Sequence, residues 1–291
     1  MPVMAAPRVA PRAAPAAPLV DTHAHLSDRR FARDLPDVLA RAAASGVGAC
    51  VVVGYDHDSS RAAVHLAHQH EGLWAAVGIH PHHANSVDGR SLAALRELAA
   101  LPKVVALGEC GLDFYRNLSP PDAQRRAFWA QLDLAAELDL PVVVHSRNAM
   151  AETLATLEGR TPPVHGVLHC FDGDRAAAAR AAALGLYLSC AGPLTYRRDP
   201  TLAEALAAAP LGRLVLETDC PYLSPAGHRG ERNEPAHVRL VAEALARLRR
   251  EPLAAVARRT TENAAALFRT PALARAVDAG EAVEVVEDDA A

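Results

Sequence analysis

Leu19-Val20-Asp21-Thr22-His23-Ala24-His25-Leu26 carries an apolar lead-in straight into an Asp-x-His-x-His pattern, ahead of a polar, Arg-rich segment. Read as a strand over 19–24, its side chains alternate between two faces, which sets Asp21, His23 and His25 on one side. Two imidazoles at i and i+2 on a strand end can ligate one metal ion from one direction. The other ionisable residues in unusual places fall at the ends of later apolar runs. That distribution is the signature of a barrel with a metal at its mouth.

Working outward, apolar runs of five or six residues alternate with Ala/Leu/Arg segments of helical spacing. The runs predict strands over 19–24, 49–54, 73–79, 104–108, 141–145, 165–169, 186–190 and 213–218. The intervening segments predict helices near 34–45, 58–70, 90–100, 120–138, 148–158, 173–184, 200–208 and 234–250. Such a repeat within about 250 residues is an α/β fold of the (β/α)8 TIM-barrel type. Residues 251–268 add one C-terminal helix. A doubly wound open sheet is the alternative, but the first strand lacks the Gly-rich turn of a dinucleotide site.

The barrel is expected over 18–269. Residues 1–17 are Ala/Pro-rich without an apolar h-region and read as a disordered extension, not a secretory signal. Residues 270–291 end in Glu-Asp-Asp-Ala-Ala and read as an acidic, disordered tail.

Hydrophobic residues make up 51% of the 291, enough for a large core. No window approaches the roughly 18 uncharged apolar residues of a membrane span. A net charge of −4 excludes a protein that coats nucleic acid by overall charge, so any such contact must be local. The five cysteines form no CxxC pair, which points to reduced thiols and a cytoplasmic protein. No protein partner is implied.

Active sites of such barrels lie at the C-terminal strand ends. There the sequence places His23 and His25 (strand 1), His80 and His82 (strand 3), Glu109 and Asp113 (strand 4), His145 and Arg147 (strand 5), His169 (strand 6), and Glu217 and Asp219 (strand 8). Singly, each has a bland explanation: a histidine can close a hydrogen bond at a rim, Glu109 can be an ion-pair partner, and Asp219 can cap a helix. No packing rule asks for them jointly. His23, His25, Glu109, His145, His169 and Asp219 together make a two-metal site. Asp21 either orients a ligand from behind or closes a hydrogen bond inside the barrel.

Cys110, Cys170 and Cys220 each follow a proposed ligand, and alternation turns them towards the helices as packing thiols. His165 begins strand 6 at the closed end and reads as structural. Many two-metal barrel hydrolases bridge their ions with a carbamylated lysine on strand 4. Here the only lysine, Lys103, starts that strand, so the bridging carboxylate must be Glu109.

These residues resemble the TatD family of metal-dependent deoxyribonucleases, among the amidohydrolase-type barrels. The motifs are Asp-Thr-His-Ala-His-Leu (21–26), Gly-Ile-His-Pro-His (78–82), Gly-Glu-Cys-Gly-Leu-Asp (108–113), His-Ser-Arg (145–147), His-Cys-Phe (169–171), Gly-Pro-Leu-Thr-Tyr (192–196) and Glu-Thr-Asp-Cys-Pro-Tyr-Leu (217–223). Arg232-Asn233-Glu234-Pro235 and Thr261-Glu262-Asn263 also fit, and Phe114 stands where the family often has Tyr. The resemblance implies the same six metal ligands.

The expected activity is phosphodiester hydrolysis at DNA ends, with two divalent ions (Zn, Mn, Mg, Ni or Co) bridged by Glu109 and Asp219 as general base. Arg147, Arg197, Arg198, Arg229 and Arg232 fall on rim loops, with Arg232 the favoured phosphate contact alongside Arg147, His80 and His82. Tyr115, Phe171, Tyr196 and Tyr222 are few for stacking bases, which suits a short grip on a strand end. The alternative is a hydrolase of a small ester, lactone or amide using the same metals. A purely structural metal site is disfavoured, since such sites are closed and four-coordinate.

Overall fold

A computed structural model describes residues 18–196 and 200–275. Eight strands form one sheet in sequence order: β1 (Leu19–Ala24), β2 (Val47–Val53), β3 (Leu73–Val77), β4 (Val104–Asp113), β5 (Val142–Arg147), β6 (Gly166–Leu168), β7 (Tyr187–Cys190) and β8 (Leu214–Leu216). All neighbouring pairs are parallel. The ring closes at its C-terminal end, where Ala24 bridges Cys220, His25 N donates to Cys220 O at 2.7 Å, and Asp219 N donates to His23 O at 2.9 Å. This is the expected eight-stranded α/β barrel.

The strands alternate with α1 (Leu35–Ala44), α2 (His57–Gln69), α3 (Gly89–Ala99), α4 (Pro121–Leu138), α5 (Met150–Glu158), α6 (Arg175–Ala183), α7 (Pro200–Ala208) and α8 (Val238–Arg249); α9 (Leu253–Leu267) and the short α10 (Ala272–Arg275) follow. No helix among the described residues is long and apolar enough to cross a membrane. The proposed N-terminal extension, and all of the acidic tail beyond Arg275, lie outside the described residues, as do Arg197 and Arg198.

Two apolar layers follow from strand alternation. The inner one is narrow and filled by small β-branched residues and alanines, among them Val20, Ala49, Val51, Ala76, Ala106, Val143 and Val215. The outer one joins the other strand faces to the helices, with Phe31, Phe128, Leu132 and Leu154 fully covered. α9 closes the lower end by adding Ala264, Leu267 and Phe268 to the inner layer. Asn263 fixes it there, donating from Nδ2 to Leu211 O (2.8 Å) and Leu214 O (2.7 Å). Thr261 Oγ1 donates to Pro18 O at 2.9 Å, which gives the late Thr-Glu-Asn motif its structural task.

Lys103 is at the same closed end, its Nζ donating to the carbonyls of Ala67 and His70 at 2.6 Å each. It therefore caps the C-terminus of α2 and takes no part at the mouth. His165 is likewise structural, donating from Nε2 to Leu267 O at 2.8 Å.

β4 extends to Asp113, five residues past its expected end. Gly108 (φ +126°) and Gly111 (φ +146°) suggest a turn in sequence, yet here they permit close strand approach. A Cβ on Gly111 would lie 2.0 Å from His145 O. The glycine run thus brings β4 against β5 and carries Glu109 and Asp113 to the mouth together.

Candidate metal centre

The strand ends are held by polar residues of the surrounding helices. Asp56 and Ser59 cap α2 reciprocally, and the adjacent Ser60 Oγ accepts from Gly78 N at 3.2 Å. From α4, Gln131 brackets Ile79: Oε1 accepts from its N–H (2.8 Å) and Nε2 donates to its carbonyl (2.9 Å). Gln124 does the same for Asp113, at 2.8 and 3.1 Å. These two buried glutamines fix the ends of β3 and β4, and with them His80 and Asp113. Period-3.6 reading of α4 had no means of separating them from surface positions.

All six expected ligands converge. Glu109 is buried at their centre, with its two carboxylate oxygens facing different partners. Oε1 lies 2.8 Å from His145 Nδ1 and 2.9 Å from His169 Nε2. Oε2 lies 3.4 Å from His23 Nε2 and 3.7 Å from His25 Nε2. Asp219 Oδ1 completes the second group, 3.7 Å from His23 Nε2 and 3.4 Å from His25 Nε2. The ligand atoms of His23, His25 and Asp219 lie within 4.8 Å of one another, as do those of His23, Glu109 and His169, and of His80, Glu109 and His145.

His80 is placed differently from the rim position expected of it. It is buried, and its Nε2 stands 3.5 Å from Glu109 Oε1. It belongs with the inner donors, and its strand-end position was the available signal.

The donor atoms match a bound divalent cation. His25 Nδ1 contacts Val53 O at 2.9 Å, and a carbonyl only accepts, so that nitrogen carries the proton and Nε2 presents a lone pair to the cluster. Yet His23 Nε2 and His25 Nε2 are 3.3 Å apart, and His145 Nδ1 and His169 Nε2 are 3.0 Å apart. Facing imidazole nitrogens beside two buried carboxylates need either protons or a cation between them. Burial pushes the Glu109 carboxyl up, but His169, His80 and His23 and the bond with His145 outweigh it and hold it well below the usual range. Asp219 likewise remains low against burial, through His25 and His23. Burial drives His80 well below the usual imidazole value, and its Nδ1 accepts from His82 N at 3.0 Å, so in the neutral ring Nε2 carries the proton and faces Glu109.

Behind the donors lie residues whose roles were not assigned from sequence. Asp113 Oδ2 accepts from His82 Nε2 at 2.9 Å and lies 3.4 Å from His145 Nε2, which orients both rings. Glu217 Oε1 accepts from Cys170 N at 2.7 Å and stands 3.4 Å from His169 Nδ1. Both acids were visible in the motifs, spaced an even number of residues from a ligand.

Asp21 departs from simple alternation. The register of β1 against β2 shifts between Asp21 and Ala24, and Asp21 sits opposite Cys50, which belongs to the outer layer. Its carboxylate accepts from Thr218 N (2.9 Å) and Thr218 Oγ1 (2.6 Å), and burial pushes its pKa up to about 8. Asp21 therefore holds the peptide that precedes Asp219, and it also accepts from the backbone N–H of His23 at 3.3 Å.

Of the expected substrate contacts, Arg147 is exposed at the rim and His82 is half-buried on Asp113. Arg232 has another task. It pairs with Asp34 (2.6 and 2.8 Å) and Glu234 (2.9 Å), lies over Phe31, and fastens the segment before α8 to that before α1. Its place beside Glu234 in sequence foretold one partner; Asp34 is 198 residues away. Cys110 and Cys220 pack in the outer layer as expected. Cys170 does not continue the strand, having φ +43°, and joins none of the ligand-forming groups.

Known proteins resemble the chain over most of its length. The chain is 40% identical to the metal-dependent hydrolase YabD of Bacillus subtilis over 86% of its own length and 99% of that protein. It is 40% identical to the 3'-5' ssDNA/RNA exonuclease TatD of Shigella flexneri, covering 86% and 98%. The crystal structure of the TatD homologue YJJV of Escherichia coli superposes with a TM-score of 0.83 at 34% identity, covering 87% of this chain and 98% of that one. Since residues 20–269, nearly all of the barrel, match the model of the TatD related DNases, the chain belongs to that family.

Proposed function

We propose that this metal-dependent hydrolase cleaves phosphodiesters at the ends of single-stranded nucleic acid, with two divalent ions sharing Glu109. The observation that carries the reading is the division of Glu109's oxygens between two donor groups. His23, His25, Asp219 and Oε2 would hold one ion; His145, His169 and Oε1, with His80 adjacent, would hold the other. Their mixed imidazole and carboxylate chemistry suits Zn, Mn, Ni or Co, and Mg through the carboxylates. When bound, such ions supply Lewis acidity towards phosphate oxygens and a water of lowered pKa.

The chain's own residues do the rest. Asp219 is the more accessible carboxylate, 13% exposed against 4% for Glu109, and accepts the proton of the attacking water. Asp113 keeps His145 and His82 in fixed orientation. Arg147 makes no ion pair among the described residues, which leaves its guanidinium for a non-bridging phosphate oxygen. Taking the 3'-5' direction of the exonuclease relative for this chain, the water oxygen bonds to the last phosphorus, the bond from that phosphorus to the 3' oxygen of the preceding nucleotide breaks, and the freed oxygen takes up a proton from solvent.

The test uses single-stranded oligonucleotides labelled at either end, with Mg, Mn or Zn restored after chelation. Stepwise shortening from the 3' end is expected, strictly metal-dependent. Asp219→Asn should slow it at least about 100-fold, the usual contribution of a positioned general base. Oligonucleotides left intact by folded, metal-loaded enzyme would refute the nuclease reading and direct the search to small esters, lactones and amides.

A further inference from the structure

Among the described residues only five large hydrophobic side chains are exposed, and Tyr115, Leu118 and Tyr222 of these stand on loops at the C-terminal strand ends. Scattered singly, such residues need no explanation; gathered at one mouth, they mark a binding surface. Tyr222 follows β8 and is 45% exposed. Its ring centre is 6.0 Å from that of His25 at an angle of 74°, beside the metal centre. Arg30, from the loop after β1, lies 4.4 Å over one face of it.

Tyr115 has a matching arrangement. It follows β4, is 61% exposed, and donates its backbone N–H to Asp113 Oδ1 at 3.0 Å. Arg147, at the end of β5, lies 4.0 Å over one face of the ring. In each pair the guanidinium covers one face and holds the ring in place. Beside its guanidinium each tyrosine keeps substantial exposure to solvent.

Position in the barrel gives the pairs a common meaning. β8 and β1 are neighbours at the seam, while β4 and β5 lie half a circuit away. The donor cluster therefore lies between two Tyr–Arg platforms. The hydrolytic chemistry needs neither ring, and a small acyl substrate has nothing to lay on them. A nucleobase has a flat π face, and stacking on an aromatic ring is tolerant of base identity.

We propose that Tyr222 with Arg30, and Tyr115 with Arg147, are stacking platforms for the nucleobases on either side of the scissile phosphodiester. This rests on the nuclease reading and adds its specificity: the mouth selects a phosphodiester flanked by two unpaired bases, of any sequence. The platforms are not equivalent. Arg30 is committed to Asp28 through bonds of 3.0 and 2.8 Å, so its platform grips by stacking alone. Arg147 forms no ion pair within 4 Å among the described residues, with Asp172 the carboxylate that feels its charge, so its platform adds a salt-sensitive phosphate contact.

The test compares kcat/KM for a single-stranded octanucleotide with that for the same strand carrying an abasic residue at the terminal or the penultimate position. Wild type should prefer the intact strand by about tenfold for each missing base. Tyr222→Leu should abolish the preference at one position and Tyr115→Leu at the other, with Tyr→Phe at either site retaining it. Equal rates on intact and abasic ends, or full discrimination in both leucine variants, would overturn the proposal while leaving the nuclease reading in place. If metal-loaded wild type cuts no oligonucleotide, the nuclease reading fails and the platforms fail with it.

Discussion

Replacing Glu109 with glutamine is expected to lower kcat by about 10³-fold, with the barrel still folded. The side chain is 4% exposed and stands between both donor groups, so its charge and both oxygens are in use. Glutamine keeps the volume but offers one oxygen and no charge, and its amide nitrogen cannot ligate. Losing one ion, or the bridge between two, removes several kcal/mol of charge stabilisation from the transition state, which corresponds to the stated factor. The measurement is steady-state turnover at saturating metal, beside a thermal melt to verify folding. A loss below tenfold would mean that Glu109 is an ion-pair partner only.

Gly111→Ala is expected to destabilise the barrel by about 3 kcal/mol or more. The residue has φ +146°, a conformation that L side chains rarely adopt, and the added Cβ would stand 2.0 Å from the His145 carbonyl oxygen. That oxygen is backbone of a central strand, paired with Gly111 itself, and cannot swing aside. Relief would require β4 and β5 to separate, which also displaces Glu109 from His145. Gly89→Ala provides the control, since nothing lies within 4 Å of its added Cβ and it begins α3. Urea denaturation of the two variants reads the difference. A Gly111→Ala midpoint equal to that of Gly89→Ala would contradict the close-approach account.

The fold was legible because strand and helix periods alternate cleanly from Leu19 onward, and the convergent cluster at the mouth was legible because its members are polar residues closing apolar runs. Two features escaped, each for a physical reason, while Asp21 took the second of the two roles open to it, a hydrogen bond inside the barrel. Position after a strand end points His80 to the rim, yet a short turn bracketed by Gln131 tucks it inside. Arg232 lies in a family-like motif, yet its chief partner, Asp34, is remote in sequence and adjacent only once the barrel closes. Helix-borne supports such as Gln124 escaped for a related reason: a buried polar residue on an amphipathic helix looks like any other polar residue until its strand-end partner is known.

The central claim is that this barrel mouth is a two-ion site joined by Glu109. The most direct measurement is the number of divalent ions retained per chain after chelation, reloading with Mn or Zn, and gel filtration. About two are expected in the wild type and about one in His145→Ala, where the second ion would keep only His169 and Glu109 Oε1 of its proposed donors. One ion or none in folded wild type would contradict it.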